Sequence, residues 1–372
     1  MVVKLASRCN LACTYCYMYE HSDQTWRMQP RFMADETMKD VSRRIAEYLA
    51  DKPNLTLTVV AHGGEPLLLG VPGLRRFFET VRRAAGPRAV RFGIQTNGVL
   101  ITPDIVDLLI AENVFTSVSL DGQPISNDLR RINKNGTGSA AATMAGVSRL
   151  RASSQGARLF TGFLAVIDLD VNPAEALAFF NRLSSPSVDF LLPHYNYDTF
   201  PAHQSPLEYG AWLAKLFDLW FDDATEMRIR SFEVIMKLLL GGTYGMDFLG
   251  SVSRGVVTIE TDGSYHSLDA LKTSFSGATA TGMTVSETAL ARVESLPAVS
   301  ATRDKATAAS TTCLTCPVFS VCGGGLLAHR FSAAHGYNRP SVFCKALYGL
   351  IRHIERRLGE SCKFDGSVTA LQ

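Results

Sequence analysis

Two rhythms of apolar residues alternate along the first two-thirds of the chain. Short β-rich runs at 2–5, 55–61, 91–96, 116–120, 159–166 and 188–192 predict strands. Between them, apolar residues recur at helical spacing over 35–50, 73–84, 103–111, 139–151 and 173–182, and two further helices are expected at 209–221 and 232–240. Such alternation marks parallel βα units. Six of them build an α/β fold of the open (β/α)6 barrel kind, and a doubly wound sheet would use the same pattern. In either arrangement chemistry collects at the carboxyl ends of the strands.

The rhythm breaks after about residue 240. Gly241, Gly242, Gly245, Gly250 and Gly255 precede two short runs, 256–260 and 265–268, joined through Asp262-Gly263, which predicts a hairpin. Residues 276–312 are rich in Ala, Ser and Thr and read as a helix with loose connections; 341–358 reads as a final helix. The expected division is 1–235 for the barrel and 236–372 for a second domain. No internal repeat is evident.

Composition adds little until the cysteines are counted. The 372 residues are 46% hydrophobic and 19% charged with a formal net charge of +2, so nothing global points to nucleic acid. No run approaches the ~20 apolar residues of a membrane helix. The charged, cysteine-bearing N-terminus is unlike a signal peptide, and a cytoplasmic location is expected. Disulfides do not persist there, yet the chain has eight cysteines. Cys9, Cys13 and Cys16 form one group; Cys313, Cys316, Cys322 and Cys344 form another; Cys362 stands apart as a free thiol. Grouping of this kind points to metal ligation.

Three thiolates spaced Cys-x3-Cys-x2-Cys after the first strand hold three corners of a cubane 4Fe–4S cluster and leave one iron open to a small molecule. A zinc knuckle normally wants four protein ligands. With Tyr15 before Cys16, this triplet resembles the signature of the radical S-adenosylmethionine (SAM) superfamily. Further motifs fall at successive strand ends, although each alone reads as an ordinary turn. His62-Gly63-Gly64-Glu65-Pro66 resembles the GGEP motif, whose glycines let backbone approach a ligand and whose Glu65 would accept from the SAM ammonium. Gln95-Thr96-Asn97-Gly98 and Ser119-Leu120-Asp121-Gly122 follow. The resemblance implies that Gln95, Asn97, Ser119 and Asp121 face the cofactor, that Arg131 meets its carboxylate, and that Tyr15 and Val166 complete the set.

Four cysteines spaced Cys313-x2-Cys316-x5-Cys322-x21-Cys344 saturate one cluster, and alone they would equally suit structural zinc. The segment resembles the SPASM module of peptide-modifying radical SAM enzymes, in which these four match the outer auxiliary cluster. Leu326 stands where an inner-cluster cysteine would fall, and the hairpin around 262–267 has none. A reduced SPASM with one auxiliary cluster is therefore expected, making two 4Fe–4S clusters with SAM as cofactors.

Segments across the chain, among them Lys4-x-Ala6-Ser7-Arg8-Cys9-Asn10-Leu11, Asp23-Gln24-x-Trp26-Arg27, Ala328-His329-Arg330-Phe331 and Pro340-Ser341-Val342-Phe343-Cys344, resemble the FxsB-type maturases. That family forms three-residue cyclophanes in ribosomally made peptides, joining an aromatic ring carbon to a nearby Cβ. The resemblance implies hydrogen abstraction from Cβ, ring addition, and loss of one electron and one proton. Glu260, Asp262, Asp269 and His194 are the candidate bases; a hairpin Asp is also an ordinary turn-former. Expected partners are a ribosomal precursor peptide and an electron donor such as flavodoxin or ferredoxin. With the first strand so near the start, no separate leader-binding domain is expected ahead of it, and the hairpin edge is a candidate for pairing with an extended leader. Thioether or formylglycine chemistry, and a non-catalytic zinc protein that binds peptides, are the competing readings.

Overall fold

In a computed structural model, residues 1–86, 90–223, 225–243 and 245–364 are described, the last four by backbone alone, so the side chain of Cys362 lies outside the described residues. Six parallel strands, β1 (Val2–Ala6), β2 (Leu57–Gly63), β3 (Val90–Thr96), β4 (Phe115–Ser119), β5 (Phe160–Val166) and β6 (Val188–Leu191), lie side by side in sequence order. A doubly wound sheet would reverse direction midway; this one does not, and the open barrel is the outcome. Beyond β1 the sheet continues through β7 (Thr258–Ile259), parallel to β1, and then antiparallel β8 (Ser264–His266) and β9 (Ala280–Thr284). The hairpin thus extends the barrel sheet.

Local sequence explains the elements. In β3 the side chains of Val90, Phe92, Ile94 and Thr96 are buried at period two. Helix α1 (Asp35–Ala50) buries Met38, Val41, Ser42, Ile45 and Leu49, spaced to make one stripe. Helix α2 (Gly70–Ala85) stops at Gly86, whose φ of +84° suits a residue without Cβ and whose N–H returns to Arg82. Helix α3 (Pro103–Ala111) starts with Thr102 capping Ile105 and Pro103 in the first turn, a cap worth about 1 kcal/mol.

The chain clusters into two compact units that interleave along the sequence. One comprises Met1–Val166, Ser185–Pro193 and Gly255–Ser300; the other comprises Ile167–Ser184, His194–Arg254 and Ala301–Gln372. A cut near residue 235 divides the chain differently, because β7 to β9 join the sheet of the first unit. In the second unit, α-helices Pro206–Asp222 and Cys344–Phe364 pack closely: a Cβ on Gly210 would lie 2.9 Å from Ala346 Cα. The first of these helices opens with a capping box between Ser205 and Glu208.

Two departures from the sequence reading have physical causes. Residues 280–284 form β9 rather than helix, since pairing with β8 overrides a composition with no apolar alternation. Helices Pro124–Arg130 and Ser154–Leu159 span two turns or less, too short to show a period. Among the described residues no helix is long and apolar enough to cross a membrane.

Candidate functional site

The loop after β1 carries Cys9, Cys13 and Cys16, all partly exposed. It is pinned on two sides. Ala12 and Thr14 donate to the carbonyls of Ile132 and Arg130 at 2.8 and 2.9 Å. Opposite, Gly64 and Glu65 donate to Ala6 and Arg8 at 2.8 and 3.0 Å. A Cβ on Gly63 would fall 2.1 Å from the Ala6 carbonyl oxygen, and one on Gly64 1.8 Å from Tyr19 Oη. The close approach these glycines permit is to the chain's own cysteine loop.

Burial is the main effect on all three thiols, pushing Cys9 up to about 12 and Cys16 to about 11 and raising Cys13. Such thiols ionise when a cation takes the proton's place, as iron does. Donors already face one sulfur: Leu11 N lies 3.4 Å and Asn97 Nδ2 3.7 Å from Cys9 Sγ. Among the described residues no three His, Cys, Asp or Glu side chains converge on a single metal ion. A cubane does not require convergence, since each thiolate binds a different iron. The donor set fits a three-cornered cluster.

Polar side chains from the next strand ends surround this loop. Asp121, after β4, accepts from Tyr15 Oη at 2.5 Å and from Val166 N at 3.0 Å; Arg131 donates to Tyr15 Oη at 2.7 Å. Gln95 donates to Ser119 at 2.9 Å. The resemblance-derived set Tyr15, Gln95, Asn97, Ser119, Asp121, Arg131 and Val166 is thus brought to one rim. Glu65 differs from expectation. It is 1% exposed, its Oε1 accepts from Leu67 N and Thr96 Oγ1, and its Oε2 accepts from Asn97 N. Three protein donors engage it, so it ties β2 to β3 and keeps one acceptor position, on Oε2, for a further donor.

The candidate bases separate by environment. Asp262 is exposed in the hairpin turn, where it accepts from Ser264 N and Oγ and from Gln29 Nε2. It shapes the turn. Glu260 is buried between Lys4 and Lys272, each 2.8 Å from Oε1. Burial alone would raise its pKa, but the two ammonium groups outweigh it and hold the carboxyl down at about 2. Glu260 thereby ties Lys4 to Lys272. His194 belongs to the second unit, where its ring lies 6.2 Å from that of His329. Asp269 accepts from Lys4 at 2.8 Å and keeps its side chain 12% exposed. Its charge acts on Tyr17, next to Cys16, and on His62, next to Gly63. Sequence reasoning did not single out Lys4 or Lys272; a lysine inside an apolar strand was the available signal.

In the second unit Cys313, Cys316, Cys322 and Cys344 line one cavity of about 70 Å³, walled by Val318, Phe319 and Tyr348. Three consecutive glycines after Cys322 have positive φ (61°, 75° and 71°). In that conformation Gly325 N donates to the Cys322 carbonyl at 3.1 Å, and the Gly324 and Gly325 amides pull the Cys322 thiol down against the larger upward push of burial. Two buried cations stand near. Arg330, 1% exposed, donates to the Gly323, Gly324 and Ala308 carbonyls and is drawn to Cys313 and Cys322. Lys305 donates to Met246 and Leu249 and is pushed down to about 8 by burial. Four thiols around one cavity and buried positive charge beside them fit a fully ligated, anionic iron–sulfur cluster.

The sequence model of the Radical SAM superfamily matches residues 3–182. A cysteine-type anaerobic sulfatase-maturating enzyme of Clostridium novyi (strain NT) is 27% identical over 280 residues, 72% of this chain and 73% of that protein. A serine-type anaerobic sulfatase-maturating enzyme of Bacteroides thetaiotaomicron is 24% identical over 377 residues, covering 95% and 88%. Among solved structures, native anSMEcpe with bound AdoMet superposes with a TM-score of 0.80 at 19% identity, covering 97% of this chain and 99% of that one.

Proposed function

Starting from the match of residues 3–182 to the Radical SAM superfamily model, we propose that this chain modifies a peptide by removing a hydrogen from a side-chain Cβ. The observation that carries the reading is the partly exposed cysteine triplet after β1, flanked by Tyr15, Arg131 and polar side chains at the ends of β3 and β4. Cys9, Cys13 and Cys16 would hold one 4Fe–4S cluster, and Cys313, Cys316, Cys322 and Cys344 a second. When bound, the first cluster and SAM supply one-electron cleavage of a sulfonium and hence a hydrogen-abstracting carbon radical.

The remaining work belongs to the chain. Arg131 offers a guanidinium, held by Tyr15, to the cofactor carboxylate. Gly63, Gly64 and Pro66 shape the backbone beside the cysteine loop, with Glu65 fixing that backbone to β3. Ser119, Gln95 and Asp121 present hydrogen-bonding groups for hydroxyls, with Asp121 already oriented by Val166 N. Asp269 accepts the proton that the product-forming step releases. Residues 1–235 would serve radical generation and 236–372 the auxiliary cluster, with a flavodoxin- or ferredoxin-like protein as electron donor.

For the finer chemistry we favour a carbon–carbon crosslink between an aromatic ring and Cβ, as in FxsB-type maturases. The supporting features are the sequence segments from Lys4 to Met33 and from Cys322 to Cys344, and a hairpin without cysteine. The similarity to sulfatase-maturating enzymes favours a second reading, oxidation of a peptide Cys or Ser at Cβ to formylglycine. Anaerobic co-expression with a short peptide encoded beside the gene separates them. Loss of two hydrogens, no reaction with a hydrazine probe and missing fragmentation between two residues support the crosslink. A hydrazine-reactive product establishes the aldehyde; an unmodified peptide with every neighbouring candidate overturns both.

A further inference from the structure

Lys4 is fully buried in the middle of the sheet, on a strand paired with both β2 and β7. Its three ammonium protons have three acceptors: Glu260 Oε1 at 2.8 Å, Asp269 Oδ1 at 2.8 Å and Met18 Sδ at 3.3 Å. Lys272 serves the same network from the other side, 2.8 Å from Glu260 and 3.7 Å from Asp23 Oδ2. The two lysines are not equivalent. Lys272 touches carboxylates that are 1–2% exposed, whereas Lys4 also reaches Asp269, whose side chain is 12% exposed.

We infer that Lys4 is the positioning residue for proton removal: anchored on β1, it fixes Asp269 through Oδ1 and leaves Oδ2 turned to the substrate. The inference rests on the reading of Asp269 as the proton acceptor. In the crosslinking step the Cβ radical forms a bond to a ring carbon; the resulting ring radical gives one electron to an oxidant of the iron–sulfur class, the C–H bond at that carbon breaks with its proton going to Asp269, and the ring regains aromaticity. A displaced Asp269 leaves hydrogen abstraction intact but strands it before product. The cofactor is then consumed without a crosslink. Glu260, pinned by both lysines, holds Lys4 from behind and takes no part in the transfer.

The test compares three variants in the reconstituted full chain, measuring 5′-deoxyadenosine and modified peptide together. Lys4→Met should lower product per 5′-deoxyadenosine about a hundredfold, the scale of a catalytic group displaced by ~1 Å, with little change in peptide KM. Lys4→Arg should restore much of that ratio. Lys272→Met breaks an ion pair of the same network and should keep a ratio near that of the parent. A purely structural role makes Lys4→Met and Lys272→Met lose both readouts in parallel, and that result overturns the inference. If Lys4→Met does not fold, Lys4→Gln, a shorter and uncharged side chain, takes its place: a ratio equal to that of Lys272→Met sinks the idea. Asp269→Asn tests the underlying reading separately. If it keeps the parent ratio, the acceptor assignment falls; if it uncouples while Lys4→Met does not, only the role of Lys4 falls.

Discussion

The two cysteine groups solve opposite problems with the same side chain. Cys9, Cys13 and Cys16 sit on a loop stitched to neighbouring backbone, partly exposed, with a rim of Tyr, Gln, Ser, Asp and Arg around them. Cys313, Cys316, Cys322 and Cys344 close around a small cavity whose other walls are largely apolar, with Arg330 and Lys305 behind. Three ligands beside polar groups suit an iron that must accept a small molecule. Four ligands in an apolar cavity suit one that exchanges only electrons. Ligand number and lining polarity, rather than cysteine spacing alone, tell the two apart.

The sharpest way to break the comparison is to remove each set of ligands. Replacing Cys9, Cys13 and Cys16 by Ala should reduce SAM cleavage to background, whereas replacing the four C-terminal cysteines should leave cleavage and abolish modified peptide. Liquid chromatography of 5′-deoxyadenosine with mass spectrometry of the peptide reads both. Equal loss of cleavage in the two variants would erase the distinction.

Next in size is Gly64→Ala. Its Cβ would meet Tyr19 Oη at 1.8 Å and the Arg8 carbonyl oxygen at 2.5 Å, so the cysteine loop must shift. A displacement of ~1 Å at the reacting groups predicts about a hundredfold lower kcat, with the four-cysteine cluster unchanged by EPR. Parent-like turnover would show that the loop tolerates movement. A smaller effect should follow Arg330→Met: loss of a cation near Cys313 and Cys322 lowers the reduction potential of the second cluster and leaves that of the first alone, measured by redox titration.

The smallest effect concerns acid. Glu260 has a folded pKa of about 2 against an ordinary 4.5. A depressed carboxyl contributes stability that is complete above its unfolded pKa and disappears as pH falls through the folded one. Thermal midpoints should therefore fall between pH 4.5 and 2, and Glu260→Gln should flatten that slope. Identical slopes would mean that Lys4 and Lys272 do not hold Glu260 ionised.

The barrel was legible in the sequence because buried parallel strands and amphipathic helices have distinct periods, and the helices at 35–50, 103–111 and 173–182 match in both bounds. β9 was not, since Ala280–Thr284 has no alternation and owes its form to β8. Within the site, spacing gave the cysteine groups, and resemblance gave the rim residues that the fold then gathers. It did not show the partners that hold Glu65 and Glu260. A carboxylate's role depends on its partners, and Thr96, Asn97, Lys4 and Lys272 are distant in sequence from the groups they hold.

The contrast between an open and a closed cluster is tested most directly by EPR of the reduced, anaerobically reconstituted protein with and without SAM. Two variants are compared, one lacking the three N-terminal cysteines and one lacking the four C-terminal cysteines. SAM should shift the g-values of the cluster held by Cys9, Cys13 and Cys16 and leave the other spectrum untouched. A shift in the cluster held by Cys313, Cys316, Cys322 and Cys344, or none in the first, would contradict the account.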